Sequence, residues 1–315
     1  MVAPDSHVSP VVMIISICLG ACIVFCATPA KAAPPDTTNQ SEKMPVSIAV
    51  TPSQLFDANF HGGGKVGVSR YLFDVNADKA LSETLGAGLH FAYEFSDFHF
   101  SAPAAFSGVK PWGEVHRLEF GGSVAYDLTP EWSIYVAPSI QYSREDGAGW
   151  GNALVYGGDV TVTRDISPTL TLGLGVEAFD ELEQVTLLPL IVINWKITDR
   201  LLLANSSHSG PTGQTGLELS YSLGKDWEVA TGAAYLSTRF RLNDSGLFRG
   251  GIAETSSFPA WGRLSCKTGR HFNFDFYAGA MLGGEMRIDD RNGNKITSDS
   301  YDPAAFLALA LSARF

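Results

Sequence analysis

From Val46 onward the chain repeats one pattern: segments of about ten residues or more in which apolar residues alternate with polar or small ones, each bounded by Gly, Pro, Asn, Asp or Ser. A period of two puts successive side chains on opposite faces of an extended strand, so every strand carries one apolar face that must be covered. The clearest segment sets Leu85, Ala87, Leu89, Phe91, Tyr93 and Phe95 against Thr84, Gly86, Gly88, His90, Ala92 and Glu94. Likewise, Leu170, Leu172, Leu174 and Val176 oppose Thr171, Gly173, Gly175 and Glu177. Fourteen candidate strands begin near Val46, Lys65, Thr84, Val115, Trp132, Ala153, Thr169, Val185, Leu201, Gly216, Trp227, Ala253, Arg270 and Ala304. Parity breaks at Val66-Gly67-Val68 and between Tyr235 and Phe240, where bulges would restore the phase. Thr186 to Ile193 is apolar on both faces.

The connections constrain the fold further. Every second one is tight, as at Leu128 to Glu131, Thr198 to Arg200 and Gly224 to Asp226, and between them come mostly longer, polar ones: Asp97 to Gly113, Arg144 to Asn152, Ser206 to Gln214, Asn243 to Gly251 and Asp289 to Tyr301. Tight turns at one end and long loops at the other are the layout of a barrel crossing the outer membrane, with the tight turns periplasmic. The expected fold is all-β, a transmembrane antiparallel up-and-down β-barrel of about 12–14 strands over residues 45–315. Trp132, Trp195, Trp227 and Phe272 fall beside tight turns on the aliphatic face, where an interfacial aromatic girdle belongs. A soluble β-sandwich would also explain the alternation, but it needs no such girdle.

Composition narrows the function classes. Of 315 residues, 45% are hydrophobic and 17% charged, enough apolar surface to exclude a disordered chain, and 22 Lys plus Arg against 33 Asp plus Glu leave no basic footprint for nucleic acid. The one long apolar run, Val11 to Ala27, precedes the small-x-small site Ala30-Lys31-Ala32. Residues 1–32 therefore read as a signal peptide for the general secretion pathway, and residues 33–44 as a short periplasmic lead. The absence of Lys and Arg from residues 1–10 keeps an uncleaved anchor as the alternative. Cys18, Cys22 and Cys26 lie in that segment, so Cys266 stands alone beyond it, without a partner for a disulfide.

At the C-terminus, Leu307, Leu309, Leu311, Ala313 and Phe315 occupy every second position up to a terminal Phe. This resembles the closing-strand signal read by the outer-membrane assembly machinery of Gram-negative bacteria, which implies that machinery, periplasmic chaperones, outer-membrane lipid and lipopolysaccharide as partners. The chain from Val46 further resembles a family of outer-membrane β-barrels of unassigned function. The resemblance is carried by Leu188-Pro189-Leu190 ahead of Trp195, by Gly216-Leu217-Glu218-Leu219-Ser220-Tyr221, by Arg239-Phe240-Arg241-Leu242, and by Asp302-Pro303-Ala304-Ala305-Phe306 running into Arg314-Phe315. It implies the barrel and its location and carries no chemistry across.

By parity Glu94, Arg117, Glu119, Asp159, Glu177, Glu218, Glu228, Arg263 and Arg287 face the lumen, where a charge is cheaper than against lipid. The first functional reading is a passive, porin-like channel whose mixed-charge lining sets its preference among small polar solutes. The second is a barrel closed by its own ion pairs, with a structural or surface-interacting role, and the third is an outer-membrane lipid hydrolase. For the third, Ser206-Ser207-His208-Ser209 is the adjacent set, but neighbours on a strand point to opposite faces, so a polar loop is the better reading and no enzyme is expected. Asp290-Arg291-Asn292-Gly293-Asn294 has the spacing of a calcium loop yet carries Lys295 at the glycine position, and an Asn-Gly turn explains it without metal. Asp180, Glu181, Glu183, Asp289 and Asp290 are loop carboxylates that could meet divalent cations bridging lipopolysaccharide. His61-Gly62-Gly63-Gly64-Lys65 reads as a flexible first outer loop, not a phosphate loop. No cofactor and no metal centre are expected.

Overall fold

The computed structural model describes residues 24–25, 44–206, 210–211 and 216–315. Apart from Val24–Phe25, which pairs in parallel with Leu190 and Ile191, and Met44, the expected signal peptide and lead lie outside the described residues. So does the Ser207-His208-Ser209 triplet.

Fourteen antiparallel strands close in chain order into one barrel. They are β1 (Val46–Asn59), β2 (Lys65–Ala80), β3 (Leu85–Ser101), β4 (Glu114–Asp127), β5 (Trp132–Glu145), β6 (Leu154–Ser167), β7 (Leu170–Glu181), β8 (Val185–Lys196), β9 (Leu201–Asn205) and β10 (Gly216–Ser222). Then follow β11, in two segments (Trp227–Ala234 and Leu236–Arg241), β12 (Ile252–Thr268), β13 (Phe272–Asp289) and β14, also in two segments (Lys295–Tyr301 and Ala304–Arg314). The barrel closes where β14 meets β1: Leu311 stands opposite Val50, and Val46 and Phe315 exchange backbone hydrogen bonds of 3.2 and 2.9 Å. Closure satisfies the two strand edges that would otherwise be left open, a requirement in hydrocarbon.

The outer face exposes Leu89, Phe120, Ile140, Leu174, Phe276 and Leu309 in a continuous band, far more apolar surface than a water-soluble domain carries. Trp132, Trp195, Trp227 and Phe272 stand exposed on this face beside the tight turns. A second aromatic tier, Tyr71, Phe73, Tyr93, Phe95 and Tyr142, rims the opposite end, in cross-strand rows such as Tyr71 opposite Phe95 and Tyr93 opposite Leu118. Sequence reading missed this tier because its residues sit mid-segment, away from any turn signal.

Several connections differ from the expectation. Asp97 to Gly113 is not all loop: β3 runs on to Ser101, and a short 3-10 turn (Ala104–Phe106) follows. Asp289 to Tyr301 is a hairpin, because Lys295–Tyr301 pairs with residues 284–289. The glycine-rich 61–65 segment is a fixed turn in which Gly63 (φ +102°) and Gly64 (φ +94°) adopt left-handed backbone, and the Gly63 carbonyl accepts the Ala104 N–H at 3.0 Å. The first parity break is a bulge between Leu55 and Ala58, on the strand facing Val66-Gly67-Val68.

The second parity break has a larger cause. At one level, β11 is interrupted at Tyr235, β12 shifts register between Ser256 and Phe258, β13 turns through Gly283 (φ +57°) and Gly284, and β14 is interrupted at Asp302-Pro303. The ring of Tyr301 fills the space that a side chain at Gly284 would need. Beyond this line, residues 236–241, 252–257, 284–289 and 295–301 form a four-stranded sheet that leaves the wall. It reaches the far side of the mouth, where Arg241 pairs with Arg144 of β5.

Candidate functional site

The inserted sheet has two unlike faces. Phe240, Ala253, Met286 and Ile288 lie on one, buried against Phe60, Phe98, Phe106, Trp112 and Phe306 of the β1–β4 side and β14. The rings meet edge to face, as at Trp112 and Phe240 (5.6 Å) and Phe106 and Trp112 (5.9 Å). A cavity of about 40 Å³, lined in part by Leu55, Val68, Met281 and Met286, is what remains within this packing. That is room for about three water molecules, so the aromatic packing fills most of this side of the mouth.

The opposite face carries Arg239, Glu254 and Arg287 in one cross-strand row, with Arg241 and Asp289 beside it. Arg239 Nη1 donates to Glu254 Oε2 at 2.6 Å, and its Nη2 donates to the Leu182 carbonyl at 3.3 Å. Arg241 donates from Nε to the Asn152 carbonyl at 2.8 Å, from Nη1 to the Gly250 carbonyl at 3.2 Å, and from Nη2 to Glu183 Oε1 at 3.0 Å. Both arginines thus reach the rim of β6 to β8. Leu182 (φ +46°) and Glu183 (φ +72°) hold left-handed backbone there, a conformation that persists when its surroundings fix it. The hairpin tip is tied to the same rim: Asn243 N–H donates to Glu145 Oε2 at 2.9 Å, and Gly149 N–H donates to Asp244 Oδ2 at 3.2 Å.

Below the sheet, charged residues line the inner face at mid-height. Glu94 Oε1 lies 3.3 Å from Arg70 Nε, and Glu94 Oε2 lies 3.6 Å from Arg117 Nη2. His90 bonds Asp74 at 2.8 Å and approaches Glu119 at 3.9 Å. Arg263 holds Glu218 (2.6 Å), Glu228 (2.7 Å) and Asp275 (2.9 Å), and Trp261 Nε1 donates to Glu218 at 2.9 Å. Asp159 and Glu177 stand directly opposite each other on β6 and β7 with no basic side chain in ion-pair reach among the described residues. Like charges so placed repel.

The nine expected lining residues therefore fall into separate groups. Glu94, Arg117 and Glu119 join one network, Glu218, Glu228 and Arg263 another, Asp159 and Glu177 a third, and Arg287 lies in the inserted sheet, 2.6 Å from Asp289. The mouth end holds the aromatic packing and the sheet, so these charges lie below it or, for Arg287, within the sheet. Of the expected loop carboxylates only Asp289 is buried, while Asp180, Glu181, Glu183 and Asp290 stay at least partly exposed. Asp289 is 1% exposed between Arg239 and Arg287, Glu183 pairs with Arg241, Glu181 accepts from Thr186, and Asp180 accepts from Tyr156. Arg239 and Arg241 escaped the sequence reading, although their alternation with Phe240 and Leu242 was visible, because the sheet's departure from the wall was not.

No protein-family model matches the chain, and no curated protein does. Among solved structures, the chain is similar to an outer membrane channel of Pseudomonas putida F1, with 11% identity over 90% of this chain and 100% of that one and a TM-score of 0.49. It is also similar to the toluene transporter TodX of P. putida (8% identity, 88% and 91% covered, TM-score 0.42) and to the KdgM porin (10%, 85% and 99%, TM-score 0.37). These likenesses are of barrel architecture.

Proposed function

We propose that this chain is an outer-membrane barrel that gives small polar solutes a passive route along the charged face of its inserted sheet, with Arg239 and Arg241 at the narrowest point. The unlike faces of that sheet are the observation that carries the reading. A barrel built only to be closed could pack both faces alike, whereas here one side is filled by aromatic rings and the other by Arg239, Arg241, Glu254, Arg287 and Asp289. Opening the aromatic side would expose Trp112, Phe106, Phe240, Met286 and Ile288 at about 1.5–3 kcal/mol each, so passage belongs to the charged side. There, what stands in the way is hydrogen bonding and ion pairing, which water and a solute can replace, and one small apolar contact of Ile252 with Val155 and Leu182.

Planar-bilayer recording of the purified full-length protein tests this. Wild-type protein should show small, infrequent conductance steps. Replacing residues 243–250 by a two-residue Asn-Gly turn, which unties the tip from Glu145 and Gly149, should raise the conductance several-fold. A shortened variant that inserts, keeps heat-modifiable migration and passes no current at any voltage would leave the closed-barrel reading in its place.

A further inference from the structure

On the outside of the barrel, the rim of β3 to β5 holds a groove of about 330 Å³ formed by Tyr93, His116, Leu118, Tyr142, Arg144, Asp146 and Trp150. Arg144 belongs to the face that carries Ile140 and Tyr142, since strand residues two and four apart share a side. It is a cation on the lipid side of the wall. From Trp132 beside the tight turn to Arg144, β5 climbs about 30 Å along the membrane normal, at about 3.4 Å per residue and a tilt of about 40°. That is the thickness of the hydrocarbon layer, so Arg144 stands at the level of the outer-leaflet headgroups.

The groove is built around it. His116 is the direct cross-strand neighbour of both Arg144 and Phe95. Its ring leans on Phe95 at 5.3 Å, and its Nδ1 bonds the Tyr93 hydroxyl at 2.8 Å. Arg144 Cζ lies over the Trp150 ring, 4.1 Å from its centroid, and Trp150 meets Tyr142 edge to face at 5.6 Å. Its Nη1 donates to the Ala148 carbonyl at 2.6 Å, while its Nε, fully buried, has no hydrogen-bond partner among the described residues. Among the described residues no carboxylate pairs with this guanidinium, and Asp146, past the end of β5, lies at the extracellular lip. The groove is thus cationic where it faces lipid and acidic where it faces water, so an anion is drawn from the membrane side.

We propose that this groove binds a phosphate group of an outer-leaflet glycolipid, with Arg144 as the charged anchor, His116 as a second donor, and Tyr93, Leu118 and Trp150 packing the sugar and proximal acyl carbons. An arginine suits this work because its planar fork offers paired donors to phosphate oxygens while its face stays on the indole. The groove faces away from the lumen, although the backbone of Arg144 pairs with that of Arg241, and its ligand is not the solute of the proposed route.

Native mass spectrometry of the detergent-purified barrel, titrated with diphosphorylated lipid A, lipid A stripped of both phosphates, phosphatidylglycerol and inorganic phosphate, tests it. Diphosphorylated lipid A should be retained by wild-type protein, and Arg144→Gln should weaken that retention about tenfold, the equivalent of one charge-assisted pair of about 1.4 kcal/mol. Arg144→Lys, which keeps the charge and loses the fork, should fall between them. Heat-modifiable migration establishes that each variant is folded. Equal retention by Arg144→Gln, or equal binding of the dephosphorylated lipid, would overturn the proposal. Phosphatidylglycerol binding as tightly as lipid A would overturn its glycolipid assignment.

Discussion

At the scale of single residues, Arg263 shows how the barrel handles buried charge. Three carboxylates converge on it, and Ser265 and Trp261 take further acceptor sites on Asp275 and Glu218. Removing the cation leaves those carboxylates close together and unneutralised, so Arg263→Gln should destabilise the barrel by about 3–5 kcal/mol. A lower temperature for loss of the heat-modifiable band would register this, and Arg263→Lys should recover part of it. Asp290 is the opposite case, an exposed residue at a hairpin tip. The Asn294 side chain, together with the backbone N–H groups of Asn294 and Asn292, holds its carboxyl below the ordinary value. A depressed carboxyl stabilises the turn above its unfolded pKa, about 3.9, and that contribution is lost as pH falls through the lower folded value. Amide exchange at Asn292 and Asn294, normalised to intrinsic rates, should therefore accelerate on acidification, and Asp290→Asn should remove the effect.

At the scale of elements, the inserted sheet turns on the packing of one ring. Phe240 meets Trp112 edge to face and Phe98 at a tilt and is 1% exposed, so Phe240→Ala should cost about 3–5 kcal/mol and loosen the apolar packing. Increased passage of an amphiphilic dye across proteoliposomes, with no change for Leu247→Ala at the exposed tip, is the expected pair of results. This element also marks where sequence reading stopped. Thirteen of the fourteen strand starts were legible because each strand keeps one apolar face over many residues, the exception being Lys295, and the closing of β14 on β1 followed from the alternation of Leu307 to Phe315. The departure of four strands from the wall was not, because it depends on breaks at Tyr235, Ser257, Gly283 and Asp302 that fall at one height only after the barrel is closed. Read singly, those breaks look like ordinary bulges. The same limit hid the aromatic packing: Phe98 and Phe100 sit on the parity of Glu94 and Ser96, but their partners Phe106 and Trp112 lie in the connection that follows and Phe240 comes from another hairpin.

At the scale of the whole molecule, the net charge of −11 acquires a place. Arg70, Arg117 and Arg263 are each taken up by carboxylates, while Asp159 and Glu177 face one another without a cation. On the proposed route, a solute beyond Arg239 and Arg241 would next meet the Asp159 and Glu177 carboxyls, which have no cation in ion-pair reach among the described residues. The hairpin-shortened protein should therefore prefer cations, giving a reversal potential of the sign expected for potassium selectivity in a KCl gradient. Asp159→Asn combined with Glu177→Gln should bring that potential toward zero. The preference should also fade between 0.1 M and 1 M salt, as the screening length shrinks from about 10 Å to about 3 Å, because it arises from a field across a water-filled space and not from a fitted binding site. A reversal potential indifferent to both substitutions would move the ion path away from β6 and β7. The two arginines would then stand at the mouth of a different route, and the charged face of the inserted sheet would lose its claim to line the way through.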